Sequence, residues 1–554
     1  MDSTEPCSRE PCSREPCPRE PCPREPWWSG ATIYQIYVRS WRDSNGDGIG
    51  DLPGVIEGLD YLQWTGVDAI WLSPTMPSPN TDYGYDVSDY FGVHPELGTL
   101  DDLDRLVSEA RQRDIAVMLD MVPNHSSDQH PWFLDARSAE DSPHRDYYVW
   151  AAPRDGGPPN NWVDATGKEA WTLDEASNQY YLHNFLPTQP DLNWWDDRVH
   201  SEFEHILNFW LGRGIAGFRI DVAHGLYKDA QLRDDPAPGP DDHPAVQARR
   251  RKQVYSSHRP EVHGLYRRWR QIADGYSPQR ALLGETWEFD IQKFGDFYGR
   301  TAPELHMAFN FTFVMSPFRA RDLSEIVEGT LAALPPGATA VWTASNHDVG
   351  RFPSRWCGND DRATKAALVM LATLPGTLVL YYGDELGMTD VEVPPGRQRD
   401  EMSIAQPNRP SRDRCRTPMQ WSNDANAGFT TPGTEPWLPL GDYSSTNVAT
   451  QRAGPASVLS LWRQLSQLRR QGLIGAVSAL EHLHLDDNLW AYRVGNALSV
   501  LNLHDVNATY EVPGASRLLL RTQASTYDLQ ASTGDFEGEL RLGPWEAAVL
   551  AITP

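Results

Sequence analysis

The body of this chain is nearly free of cysteine. Six Cys occur in 554 residues, but Cys7, Cys12, Cys17 and Cys22 sit in one short repeat, leaving only Cys357 and Cys415 for the rest. Two thiols in a chain of this length cannot supply a disulfide framework, which excludes the small cystine-stapled secreted folds. No apolar run approaches the length of about 18 residues that spans a bilayer as a helix, and the N-terminus lacks the apolar stretch of a secretory signal. A cytoplasmic location with no membrane partner is therefore expected. Positive charge is also scarce: 49 Lys plus Arg face 76 Asp plus Glu, a net charge of −27. Such a surface repels phosphate backbones and anionic lipid, so nucleic acid is not an expected partner.

What is present is a globular composition, with 40% hydrophobic and 23% charged residues. At about 150 residues per domain the length suggests three or so units. The 21 Trp favour carbohydrate weakly, because indole faces pack on sugar C–H surfaces. Residues 5 to 26 repeat Glu-Pro-Cys-Ser/Pro-Arg, and a Pro every few residues without aliphatic side chains forms neither helix nor packed strand. Residues 1–26 are thus expected to be a disordered tail. Its spaced Cys suit a metal, and low complexity explains the spacing equally well.

From Trp27 short apolar runs alternate with amphipathic helical patterns, the mark of βαβ units. Ala69–Leu72, Ile115–Val122, Gly217–Val222, Leu282–Glu285, Ala340–Ser345 and Leu378–Tyr382 read as strands, with a helix over Leu100–Arg111. Each run is apolar and then meets a polar residue, as barrel strands do when they deliver side chains to their C-terminal face. The rhythm breaks between 126 and 185 into a stretch rich in Pro, Gly, Asn and Trp, too long for a plain loop. After a helix over Ser457–Arg470 short strands follow. The expected architecture is α/β: a (β/α)8 TIM barrel over 27–125 and 186–474, an inserted subdomain over 126–185 after strand 3, and a C-terminal β-sandwich over 475–554.

Four strand ends carry polar residues in order: Asp120-Met-Val-Pro-Asn-His125, Gly217-Phe-Arg-Ile-Asp221, Gly284-Glu-Thr286 and Asn346-His-Asp348. In these segments the chain resembles the α-amylase superfamily, glycoside hydrolase family 13, from about Trp27 to the C-terminus. Splitting an acetal with retention takes one acid to protonate the leaving oxygen and one carboxylate to meet the oxocarbenium-like carbon, about 5 to 5.5 Å apart. The resemblance implies Asp221 as nucleophile, Glu285 as acid/base and Asp348 as the third carboxylate, which grips sugar hydroxyls. Arg219 would keep Asp221 ionised, and His125 and His347 would hydrogen-bond the reacting ring. Crowded carboxylates should raise the pKa of the acid that must stay protonated. A metal hydrolase built on His125, His347 and the acids fits less well, because no close His-x-x-x-His or Cys spacing is present.

Gln189-Pro-Asp-Leu-Asn193 is similar to the form this family's fifth segment takes in oligo-1,6-glucosidases and other exo-acting members. In that group an Asp and a Tyr close the pocket at the non-reducing end, which the resemblance carries onto Asp82 and Tyr85, with Arg412 pairing the Asp and Arg416 bordering the leaving-group site. Val222 accompanies α-1,6 specificity in those relatives. Ala223-His224 departs from their pattern, so α-1,4 and α-1,6 linkages both stay open. The loop Asp43-Ser-Asn45-Gly-Asp47-Gly-Ile49-Gly-Asp51 places side-chain oxygens at loop positions 1, 3, 5 and 9 and a carbonyl, that of Ile49, at 7, the Ca²⁺-loop spacing. Gly54 stands at position 12, where an EF-hand has Glu. A structural Ca²⁺ is expected here, with Mg²⁺ or an empty polar turn as alternatives.

The expected function is a retaining, exo-acting α-glucosidase that removes terminal glucose from short α-glucosides of the maltose or isomaltose type. Its rival is a transglucosidase or isomerase, such as a sucrose isomerase or trehalose synthase, since the same glucosyl intermediate can pass to another sugar. A non-catalytic relative, the ectodomain of an amino-acid transporter heavy chain, keeps the barrel without the acids, whereas Asp221, Glu285 and Asp348 are all present here.

Overall fold

The computed structural model describes residues 26–404, 410–524 and 534–552. The repeat expected to be a disordered tail lies, apart from Pro26, outside the described residues.

Eight strands pair in parallel: β1 (Thr32–Ile36), β2 (Ala69–Leu72), β3 (Ala116–Met121), β4 (Gly217–Ile220), β5 (Ala281–Thr286), β6 (Met307–Asn310), β7 (Val341–Trp342) and β8 (Thr377–Tyr381). Their order, β7-β8-β1-β2-β3-β4-β5-β6, follows the chain cyclically, and β6 lies beside β7, so the sheet curls into a (β/α)8 barrel. Because side chains alternate along a strand, the apolar residues divide into two layers. Ile33, Trp71, Met118, Leu283, Phe309 and Val379 fill the interior, while Tyr34, Ile70, Leu119, Phe218, Leu282 and Leu380 face the surrounding helices. The same alternation puts Gln35, Asp120, Arg219, Asp221 and Glu285 on the interior side. Gly217 lets β4 approach β5, since a Cβ there would lie 2.1 Å from the Ala281 carbonyl oxygen.

The helices form for local reasons and stay for tertiary ones. Leu100–Arg111 starts at Thr99, whose hydroxyl accepts from the Asp102 N–H while the Asp102 carboxylate accepts from the Thr99 N–H, a capping box. It buries Leu103, Leu106 and Ala110 on one stripe. Asp197–Gly212 is capped by Asp196 and buries Phe203, Ile206, Leu207, Trp210 and Leu211. Each large apolar side chain buried in this way contributes about 1.5–3 kcal/mol.

Between β3 and β4 the chain forms a helix over Pro131–Ser138 and a three-stranded antiparallel sheet with Gln179–Leu182 between Trp150–Ala151 and Trp171–Asp174. Trp162, Ala170, Trp171 and Leu182 make its small core. A buried ion pair, Lys228 Nζ to Asp191 Oδ2 at 2.7 Å, ties this segment to the loop after β4.

The sandwich expected at the C-terminus is realised as one six-stranded antiparallel sheet. Its strands are β9 (Leu480–Leu485), β10 (Leu489–Val494), β11 (Ala497–Asn502), β12 (Ala508–Arg521), β13 (Gly534–Leu542) and β14 (Ala547–Ile552), in the order β9-β10-β11-β14-β12-β13. Long β12 shifts register between Val512 and Ser516 and again between Leu518 and Leu520. One face packs on the barrel helix Asp361–Thr373, and the other carries its own apolar cluster of Leu498, Val500, Tyr510, Leu540 and Leu550. Among the described residues no helix is long and apolar enough to cross a membrane.

Candidate active site

Arg219 is the centre of the barrel mouth. Its register partner on β3 is Asp120, and its guanidinium reaches three carboxylates: Nη1 lies 2.9 Å from Asp120 Oδ1 and 2.7 Å from Asp221 Oδ1, and Nη2 lies 2.9 Å from Glu285 Oε2. Asp221 follows β4 and Glu285 lies near the end of β5, so adjacent strands hold them against one cation. Three acids around one guanidinium would carry a net charge of −2 if all were ionised. Such a cluster retains a proton to higher pH than isolated carboxylates do. Burial pushes the Asp221 carboxyl up, with Arg219 opposing it. Burial raises Asp120 to about 6, again against the pull of Arg219.

Val222, directly after Asp221, has φ +47, a left-handed conformation that a β-branched residue adopts only under constraint. The strained turn points its N–H at Glu285 Oε2, 2.9 Å away. Glu285 Oε1 accepts from the Trp287 indole at 2.9 Å.

A second charged group faces the first. Arg412 Nη2 lies 2.7 Å from Asp82 Oδ1 and 2.7 Å from Asp400 Oδ1, and Arg412 Nη1 lies 3.0 Å from Asp348 Oδ1. Arg416 Nη2 reaches the same Asp348 oxygen at 3.0 Å and its Nε donates to the His347 carbonyl. Burial works against ionising Asp348, but the permanent cations Arg412 and Arg416 outweigh it and hold the carboxyl well below its ordinary range. Asp348 is thus a fixed anion, still 21% exposed toward the mouth.

Neutral donors and acceptors line the space between. Tyr85 Oη donates to Asp120 Oδ2 at 2.9 Å and lies 2.6 Å from His347 Nε2, while Gln35 Nε2 meets His347 Nδ1 at 2.8 Å. Gln189 Nε2 lies 3.2 Å from both Asp82 Oδ2 and His125 Nε2. Burial pushes His125 down to about 4 and His347 well below its usual value, so both are neutral near pH 7 and can donate and accept. Asp82, Tyr85, His125, Arg219, Asp221, Glu285, His347, Asp348, Arg412 and Arg416 therefore converge on one site. Sequence reasoning missed Gln35, Asp120, Trp287 and Asp400 as members of it. Asp120 alone carried a signal, standing at a strand end in the same motif as His125.

The oxygen-rich loop after β1 folds around one of its own carboxylates. Asp43 Oδ1 accepts from the Gly46 N–H and Oδ2 from the Gly48 N–H, each at 2.7 Å, so the chain wraps around that carboxylate. Asp51 also serves the fold directly, capping the helix Leu52–Glu57 through the Gly54 N–H. Among the described residues no group of three or more His, Cys, Asp or Glu is arranged to hold a metal. In this arrangement Asn45 Oδ1 accepts from the Asp47 N–H, Asp47 Oδ1 from the Ile49 N–H and Asp51 Oδ2 from the Ser44 N–H, so Asp43, Asp47 and Asp51 serve the loop's own backbone, although oxygen donors of this type are the class that suits Ca²⁺ or Mg²⁺.

The chain is similar to known proteins over most of its length. The family described as "Alpha amylase, catalytic domain" matches residues 35–475. A probable α-glucosidase of Rhizobium meliloti (strain 1021) is 38% identical over 88% of this chain and 91% of its own length, and the oligo-1,6-glucosidase of Parageobacillus thermoglucosidasius is 34% identical over 95% and 99%. Among solved structures, an α-glucosyl transfer enzyme, XgtA, superposes with a TM-score of 0.88 at 35% identity, covering 95% of this chain and 100% of that one. The isomaltulose synthase of Klebsiella sp. LX3 does so with a TM-score of 0.85 at 32% identity, covering 95% and 99%. With a barrel whose strand ends gather three acids on one arginine, and with family likeness over most of its length, the chain belongs to the α-amylase family of glycoside hydrolases, family 13.

Proposed function

We propose that this protein is a retaining, exo-acting α-glucosidase that releases glucose from the non-reducing ends of short α-glucosides. The observation that carries this reading is Arg219 holding Asp221 and Glu285 on its two terminal nitrogens. In the first step the Asp221 carboxylate attacks the anomeric carbon while Glu285 gives its proton to the departing glycosidic oxygen, leaving a glucosyl ester on Asp221. In the second step Glu285 takes a proton from water, the water oxygen bonds to the anomeric carbon, and Asp221 leaves as carboxylate. Asp348 and the neutral His125 and His347 grip the sugar hydroxyls. The pair Asp82–Arg412 blocks the far end of the pocket, so chains enter by one terminus only.

The likeness to a glucosyl transfer enzyme and an isomaltulose synthase supports a second reading, transfer of the same glucosyl group to a sugar instead of water. Product analysis on maltose, isomaltose, sucrose and trehalose separates the two. Free glucose from the first two supports hydrolysis, and a new disaccharide from sucrose supports isomerisation. Failure to cleave any of the four would overturn both.

The reading extends to a structural Ca²⁺, with Mg²⁺ as the alternative, in the loop 43–51, and to a cytoplasmic location. The buried, unpaired thiols of Cys357 and Cys415 support the latter, because reduced thiols are the norm there. Fractionation of the producing cells tests it.

A further inference from the structure

The two oxygens of Glu285 are not equivalent. Oε2 receives the Val222 N–H and the permanent cation of Arg219, each at 2.9 Å, whereas among the described residues Oε1 receives the Trp287 indole N–H alone, at 2.9 Å. Negative charge therefore settles on Oε2, and a proton on this carboxyl sits on Oε1. The indole is firmly held. Phe311, itself fully buried, stacks on it at 3.8 Å between ring centres and 16° between planes, and Phe289 meets it edge-on. Its main chain is anchored too, since the Trp287 carbonyl lies 3.2 Å from His258 Nε2 and its N–H points to His224 Nδ1.

We infer that Trp287 is a positioning residue for the acid/base, fixing Glu285 Oε1 toward the leaving group and stabilising the carboxylate that forms as its proton departs. This inference rests on the role given to Glu285 above. While Oε1 carries the proton, the indole N–H meets a neutral hydroxyl oxygen and the bond is weak. Once the proton passes to the glycosidic oxygen, the same N–H faces an anion and the bond strengthens. A donor that gains strength as charge develops lowers the barrier, not merely the ground state. Its help is needed in proportion to how much the leaving group needs a proton. Sugars need one fully, and nitrophenolate hardly at all.

The test uses the full chain with Trp287→Phe, which keeps an aromatic ring to stack on Phe311 and removes the N–H together with part of the indole's packing area. For maltose or isomaltose kcat/KM should fall about tenfold, the loss expected for one hydrogen bond to a charged group, and for a nitrophenyl α-glucoside by less than about threefold. The alkaline limb of kcat/KM against pH should move up by about half to one unit, because a donor that favoured the carboxylate is gone. The other groups around Glu285 remain: Arg219 on β4 and Asp221 just after it, Asp120 on β3, Asp348 after β7, and His224 and His258 beside the indole. Phe311→Leu keeps the N–H but loosens its clamp, and should show the same leaving-group bias at smaller size. Equal losses on both substrates with an unmoved alkaline limb would reduce Trp287 to packing and overturn the inference. Glu285→Gln separates the two levels: if it still cleaves the disaccharide well, the acid/base assignment itself is wrong.

Discussion

Arg412 Nη2 lies 2.7 Å from Asp82 Oδ1, a contact between side chains 330 positions apart in sequence. In the proposed function the pair closes the pocket at the end opposite the bond to be cut. A buried pair of this kind adds little net stability, because desolvation opposes its attraction, so its value lies in placing the sugar. Asp82→Ala should lower kcat/KM for a disaccharide by about 100-fold, the cost of misplacing the reacting ring by about 1 Å, and leave starch a poor substrate. Assays of both substrates check this, and internal cuts in starch by the wild type would show an open pocket instead.

Asp221→Asn should reduce kcat by several orders of magnitude and should not lower the melting temperature. Three acids share one guanidinium, and burial already works against Asp221 as an anion. Removing that charge relieves repulsion with Glu285 and Asp120. Calorimetry beside a contamination-free assay tests both halves.

Asp400 aims Arg412. Its Oδ1 accepts from Arg412 Nε and Nη2 and its Oδ2 from the Arg412 N–H. Burial opposes ionisation, yet Arg412 and Arg416 hold the carboxyl far below its usual range. A carboxyl depressed in the folded state contributes stability above its unfolded pKa near about 4 and loses it as pH falls toward the folded one. Asp400→Asn should cost on the order of 3 kcal/mol at pH 7, as breaking a buried pair does. The gap to wild type should stay level down to about pH 5 and narrow below about pH 4. Urea unfolding across that range measures it.

Chelation should lower the melting temperature while barely changing kcat well below it, because the loop 43–51 supplies none of the residues proposed to touch the sugar and an ion that binds only the native state stabilises by mass action. The loop is also tied to a distant segment, through Asp43 N–H to the Phe429 carbonyl and Trp437 N–H to the Gly48 carbonyl. Ion loss should therefore loosen residues 429–437 as well. Asp47→Ala should behave like chelation. Elemental analysis that finds no divalent metal, with no thermal shift in EDTA, would remove the ion.

Much of the barrel can be read directly from the chain. Ala69–Leu72 and Leu100–Arg111 occupy the stretches their apolar patterns predict, because a buried strand and a one-sided helix each leave a period in the sequence. Strand Met307–Asn310 is as short as Ala69–Leu72 but does not read as a strand from the sequence, because it has no β-branched residue and its Asn310 caps the helix that follows directly. Asp221, Glu285 and Asp348 stood out because strand ends are where a barrel exposes polar groups.

Local pattern by itself determined the succession of βα units, the caps and the strand-end acids, since each depends on residues a few positions apart. Which oxygen of Glu285 meets Val222 and which meets Trp287, that Asp120 shares Arg219 with the other two acids, and that Asp400 steers Arg412 were decided only by the closed barrel. Those contacts join residues that no period connects, and their hydrogen-bond geometry exists only once curvature and register have brought the three acids within 3 Å of one guanidinium.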